Sequence, residues 1–195
     1  MVADQQRFRE VMGHFATGVA VVACAGREGP SGLTTSAVAS VSLDPPLLLV
    51  CFDNASRTLD AVREAGRFSV NVLREGQEDV AMLFASKAEM PEKFAGVEHD
   101  DADGVPVLRD VLAWLSCDVR ELLPGGDHTI GIAEIRALGA DPDGGRPLLH
   151  HRGALPLPVS VRLGHVPPQP LGVNKPQSAP CARKNGNDDD DDPLS

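Results

Sequence analysis

The sequence predicts a mainly β protein, a barrel or sandwich with two or three short helices. Three observations carry that expectation. Short apolar or alternating runs recur along the chain, parted by Gly- and Pro-rich turn chemistry. Helical periodicity is confined to brief stretches. Strands and helices do not alternate regularly, which argues against a doubly wound parallel sheet. The 195 residues suffice for one domain with a substantial core.

Asp4 is a candidate cap for a first helix. Its apolar stripe, Phe8, Val11, Met12 and Phe15, recurs at i, i+3, i+4 and i+7 and ends at Gly18. Val19 to Ala25 reads as a strand. Gly26 to Pro30 is turn chemistry, so this strand and the next form a hairpin. From Gly32 to Phe52 the chain is small and hydroxyl-rich (Thr34, Thr35, Ser36, Ser40, Ser42), is broken at Asp44-Pro45-Pro46, and resumes as Leu47 to Phe52. Proline fixes φ and removes an amide donor, hence the break. The apolar run predicts a strand buried on both faces. The hydroxyl-rich part admits two readings. It is either an edge strand with a tight turn, or a bare backbone shelf on which a ligand lies.

Ser56 is a good N-cap for a second helix with Leu59 and Val62 inward and Gly66 at its end. Phe68, Val70 and Val72 alternate with Ser69 and Asn71, the pattern of a half-buried strand. Gln77 to Ser86 is helical in pattern, with Val80, Leu83 and Phe84 inward. Lys87 to Pro106 reads as polar loop and contains Lys93 and Phe94. Leu115, Cys117 and Val119 mark a strand, and Pro124 to Asp127 a turn. His128 to Leu138 is a strand whose apolar phase slips after Ile132, which suggests a bulge or bend at Gly131. Pro147 to Arg152 is a last short strand. From Pro156 the character changes: eight of the last forty residues are proline and the chain ends NGNDDDDDPLS. Residues 1–155 are therefore expected to form the domain, and 156–195 an extended or disordered tail.

The formal net charge is −10, and residues 156–195, with four basic and five acidic groups, account for only −1 of it. An acidic body argues against nucleic acid and against an anionic membrane surface. The charged start, MVADQQRFRE, is not a secretory signal, and no apolar run approaches spanning length. The four cysteines are widely spaced with no C-x-x-C, as in a reduced, cytoplasmic protein. The six histidines lack metal-ligand spacing, so no metal site is expected. Gly26, Gly29 and Gly32 lie in a hairpin turn with the wrong spacing for a dinucleotide fingerprint.

Six collinear motifs then point further: F-A-T-G-V-A-V-V at 15–22, G-L-T-T-S-A-V-A-S-V-S-L-D-P-P-L at 32–47, V-N-V-L at 70–73, L-F-A at 83–85, K-F-A-G-V at 93–97 and G-D-H-T at 126–129. In order and spacing this set resembles the flavin reductase family, the small reductase components of two-component flavin monooxygenases. The resemblance covers about residues 8–155. It implies an FMN-binding split β-barrel, Greek-key-like, with short flanking helices. It also implies a homodimer, FMN or FAD and NADH or NADPH as cofactors, and a separate monooxygenase that takes the reduced flavin. A reductase holding its flavin tightly, and a flavin carrier without activity, are the alternatives.

The resemblance implies roles for matching positions. Thr34, Thr35, Ser36 and Ala37, with Ser40, Val41 and Ser42, would line the flavin ring and ribityl chain. Cys51, Phe52 and Asp53 would sit by the ring. Ser56, Arg57 and Thr58 would hold phosphate, which suits the free amides and positive end of a helix start. Phe84 and Ala85 would border the ring or the adenine side. His128 would approach the nicotinamide and is the candidate catalytic residue. Read without the family, Ser56 is equally a plain cap, Phe84 a core residue and His128 a turn residue facing solvent. Many members carry Asn-Ser-Phe where this chain has Ser36-Ala37-Val38, and Asp where it has Glu92.

Overall fold

The computed structural model describes residues 4–153; the stretch 156–195 lies outside the described residues. Within them the fold is mainly β. Helix α1 (Gln5–Met12) precedes β1 (Thr17–Gly18), β2 (Ala20–Gly26), β3 (Gly29–Thr35), β4 (Val38–Leu43) and β5 (Pro46–Asp53). Then come α2 (Arg57–Ala65), β6 (Arg67–Val72), α3 (Glu78–Ala85) and α4 (Met90–Ala95). The small strands β7 (His99–Ala102) and β8 (Val105–Leu108) lead to the long hairpin β9 (Ala113–Gly125) and β10 (His128–Ala140), and β11 (Leu149–His150) comes last.

Seven strands form one antiparallel sheet in the order β3-β2-β6-β9-β10-β5-β4. Its two edge strands, β3 and β4, are consecutive in the chain and joined only by Ser36 and Ala37. Three Cα steps reach no more than about 11 Å. The two ends of the sheet must therefore come together, and the sheet closes into a barrel that is split between β3 and β4. The Cys51 amide bonds the Ala37 carbonyl at 3.0 Å and pins the joint.

Strand β2 is buried on both faces, and its alternation separates two cores. Ala20, Val22 and Cys24 join Leu48, Val50, Phe52, Phe68, Val70 and the α2 residues Leu59 and Val62. Val21 and Ala23 join Phe84, Phe94, Leu108 and Leu148 under α3, α4 and β8. Phe52 meets Phe68 edge-on at 5.7 Å between ring centroids. Burial pushes the thiols of Cys24 and Cys117 up to about 12, so both are inert core residues.

Several expectations are corrected. Helix α1 ends at Met12, capped by Gly13 rather than running to Gly18; its apolar stripe is exposed. Strand β5 is not buried on both faces: Leu48, Val50 and Phe52 are, while Leu47, Leu49 and Cys51 are half-exposed. Strand β6 shows the reverse. Ser69 and Asn71 are buried like Phe68 and Val70 because the β7–β8 hairpin covers them. Their polar groups are satisfied there: Ser69 Oγ donates to Pro106 O at 2.5 Å, and Asn71 Oδ1 accepts from the Leu108 amide at 2.9 Å. The stretch 87–106 is not loop but carries α4 and most of that hairpin.

The register slips in the β9–β10 ladder fall after Ile132 and at Arg136, not at Gly131. Gly131 is small for a different reason: a Cβ there would lie 2.9 Å from the Phe52 ring. The last strand shrinks to Leu149–His150, paired with β1. The caps hold as read. Asp4 accepts from the Gln6 amide at 3.2 Å, Ser56 from the Thr58 amide at 3.2 Å, and Gly66 ends α2 at φ 68°.

Candidate active site

The site follows from the barrel split. Where β3 leaves the sheet, a groove of about 710 Å³ opens between β3, the end of β5, the start of α2 and the α3–α4 corner. That size suits a cofactor-sized ligand. It unites Thr34, Thr35, Cys51, Asp53, Ser56, Arg57, Thr58, Phe84, Ala85 and His128, residues spread over most of the domain's length. Thr34 and Thr35 also line a second hollow, and Ser36 connects this to a third, apolar one with Ala37, Phe8 and Met12. The three hollows run as one trough along the β3–β4 joint.

The structure sorts the expected residues. Phe52 is fully buried in the core, so its side chain packs on Phe68 and does not reach the groove. Ser40, Val41 and Ser42 lie along the edge strand β4 and line none of these hollows. Several hydroxyls are already engaged. Thr34 Oγ1 donates to Ala81 O at 2.6 Å, and Thr35 Oγ1 accepts from the Ala37 amide at 3.0 Å. The Thr58 hydroxyl is buried and accepts from Ser31 Oγ at 3.2 Å. Ser56 Oγ accepts the cap bond from the Thr58 amide and keeps its O–H to donate. Of the Ser56–Thr58 set, Arg57 is the group with charge to offer. Its guanidinium is held at the α3–α4 corner by Glu89 at 2.5 Å and by the Ala88 carbonyl at 2.9 Å.

At the other lip, the first residue of β10 is His128, directly opposite Asp53 of β5. Asp127 Oδ1 lies 2.8 Å from Nδ1, and the ring in turn holds the Asp127 carboxyl below its ordinary range. The tight turn before it is tied to the β5–α2 loop. The Asn54 amide bonds Asp127 O, its Nδ2 bonds Gly126 O, both at 3.1 Å, and its Oδ1 accepts from Thr129 Oγ1 at 2.7 Å.

Sequence reasoning gave no role to Gly32, Lys87 or Lys93, and the structure brings all three to the groove. Gly32 has a steric reason. A Cβ would sit 2.9 Å from the Phe84 ring, so only glycine lets β3 pass over Phe84. Lys93 lies within the K-F-A-G-V motif, the signal that could have found it, but a polar stretch gives no cue that a lysine will be buried.

The groove thus carries Arg57, Lys87 and Lys93 beside the α2 N-terminus, an uncharged part of Leu33, Thr34, Thr35, Cys51 and Ala85, and Asp53 with His128 at the other lip. The donor set fits a flat, uncharged ring system with a phosphate at one end. Among the described residues no group of three or more His, Cys, Asp or Glu could hold a metal ion, and no helix is long and apolar enough to cross a membrane.

Comparison with known proteins agrees with this geometry. A relative in Rhizobium meliloti (strain 1021), named "Probable flavin reductase", is 44% identical over 138 residues, 70% of this chain; the chain spans only 44% of that relative's length. "Flavin reductase (NADH)" of Kitasatospora aureofaciens is 45% identical over 77% of this chain and 80% of its own. The crystal structure of nitrilotriacetate monooxygenase component B from Mycobacterium thermoresistibile superimposes with a TM-score of 0.75 at 38% identity, over 78% of this chain and 86% of that one. The sequence profile of the "Flavin reductase like domain" matches residues 12–156, which takes in every strand of the split barrel, and the chain therefore belongs to the flavin reductase family.

Proposed function

We propose that this flavin reductase binds FMN or FAD in the trough along the β3–β4 joint, reduces it with NADH or NADPH, and releases it to a separate monooxygenase. The observation that carries the proposal is the clustering of Arg57, Lys87 and Lys93 in one groove beside the small, uncharged Thr34, Thr35, Cys51 and Ala85, on a chain of net charge −10. An acidic protein that takes up two anionic cofactors needs its positive charge focused in one place.

A bound flavin would supply the hydride acceptor and a dihydronicotinamide the hydride. The chain's own residues bind, orient and exclude water. Thr34, Thr35 and Ala85 leave room for a flat ring against the backbone. Arg57 and the α2 N-terminus take the phosphate end. His128, steadied by Asp127 and by the Asn54 staple, meets the nicotinamide at the lip. Hydride transfer itself calls for no protein acid or base. The trough is open, which suits a flavin that must leave.

A homodimer belongs to the same reading. It is supported by the apolar groups left uncovered: Phe8 at 60% exposure, Phe15 at 69% and Leu43 at 94%, with Val11, Met12 and Val41 beside them in the chain. Phe8, Met12 and Phe15 line the third hollow, so a second subunit seated on them would wall the trough next to Ser36 and Ala37.

The experiment mixes protein, NADH or NADPH, and FMN or FAD, and follows the nicotinamide absorbance. Flavin-dependent oxidation well above the protein-free rate is expected. Oxidation no faster than without protein rejects the proposal.

A further inference from the structure

Successive side chains on a strand point opposite ways, so the residue after His128 turns from the lip towards α2. That residue, Thr129, is 6% exposed and lines none of the three hollows. Its hydroxyl offers one donor and two acceptor sites. Arg63 Nη2, in the last turn of α2, donates to Oγ1 at 3.4 Å. The hydroxyl donates in turn to Asn54 Oδ1 at 2.7 Å. The Asn54 amide then presents Nδ2 to the Gly126 carbonyl at 3.1 Å. Every donor in this chain points the same way, from α2 out to the tip of the β9–β10 hairpin, an arrangement in which each bond polarises the next.

The direction matters. With the Asn54 amide reversed, Oδ1 would meet the Gly126 carbonyl, and two acceptors would oppose each other. The O–H of Thr129 selects the bonded orientation. Arg63 can only donate, so it takes a lone pair and leaves that O–H for Asn54. The tip needs such a hold, because Gly125 and Gly126 precede Asp127 there, Gly126 at φ 77°, and glycine restrains a backbone least. Asn54 also belongs to the short loop from Asp53 in the groove to the Ser56 cap of α2. One amide therefore fixes the spacing between the helix start and the lip. We infer that Thr129 is a positioning residue for hydride transfer: it orients the Asn54 amide, which holds the hairpin tip and with it the His128 ring where the nicotinamide binds. This role extends the flavin reading above and rests on it for the place of the nicotinamide.

The test is steady-state kinetics on the full chain, with the nicotinamide cofactor and FMN varied in turn. Thr129→Val removes the hydroxyl at nearly constant shape. It is expected to lower kcat/KM for the nicotinamide about tenfold and to change the KM for FMN less than about twofold. Thr129→Ser keeps the O–H and should stay within about threefold of wild type. Because Thr129 acts through His128, Thr129→Val should cost less than about twofold more in a His128→Ala background. No loss in Thr129→Val, an equal loss for both substrates, a serine variant no better than the valine one, or the full loss repeated without His128 overturns the assignment and leaves Thr129 a structural tie. Should Thr129→Val not fold, as judged by circular dichroism, Asn54→Ala at its exposed position takes its place, with the same split between substrates and the same dependence on His128 expected. A wild type that oxidises neither NADH nor NADPH with flavin present overturns the assignment together with the reading beneath it.

Discussion

His128 is half-buried at the lip of the groove, its Nδ1 tied to Asp127 and its backbone held on β10 opposite Asp53. Its ring is oriented before any ligand arrives. Replacing it by alanine is expected to raise the apparent KM for the nicotinamide about tenfold and that for flavin much less, read by steady-state kinetics with each substrate varied in turn. Equal effects would remove the assigned role. Gly32 makes a prediction about stability. Its missing Cβ leaves room for the Phe84 ring, itself packed edge-on against Phe94 at 4.9 Å. Gly32→Val should cost about 1–3 kcal/mol through overpacking, seen as a lower denaturant midpoint at unchanged slope.

At the scale of elements, the decisive contact joins α2 to the α3–α4 corner. Glu89 holds the Arg57 guanidinium that the proposed phosphate would use. Both partners are largely exposed, so the pair is worth little to stability, and its removal should not lower the melting temperature. It does compete with an anionic ligand. Glu89→Gln is expected to tighten FMN two- to fivefold, about 0.4–1 kcal/mol, and to leave riboflavin unchanged, by titration calorimetry. Unchanged or weaker FMN binding would show that Glu89 does not oppose the ligand. The sequence made α2 plain: Ser56 as cap, Leu59 and Val62 on one side and Gly66 past the end are local signals, and all four act as read. It did not make α4 plain. Met90 to Ala95 is short, opens on Pro91 and mixes charges, and its burial of Phe94 and Lys93 comes from contact with β3, a partner distant in sequence.

For the whole molecule, the apolar stripe of α1 was legible as a stripe, yet it faces outward. Periodicity reports that a helix has something to cover, not what covers it. If a second copy does, Phe8→Glu together with Phe15→Glu should convert a dimer to a monomer in sedimentation equilibrium and weaken flavin binding in parallel. A wild type already monomeric at micromolar concentration would exclude this interface. The domain boundary makes a second prediction at this scale: a chain ending at Leu155 is expected to retain flavin reduction within about twofold, and a loss beyond tenfold would assign the tail a role in the reaction.

Some features of this protein are decided by near neighbours in the chain, and the sequence alone determines them. Its β class, its caps and turns, the helix start at Ser56 and its family all belong here, because each rests on a few adjacent residues or on motifs in fixed order. Tertiary structure decided what depends on distant partners. The β7–β8 hairpin turned Ser69 and Asn71 into core residues, packing on Phe68 withdrew Phe52 from the groove, and closure of the barrel left Ser40 to Ser42 on an outer edge. It also buried Lys93. Burial is set by which surfaces meet when the sheet closes, and no local pattern of residues encodes that.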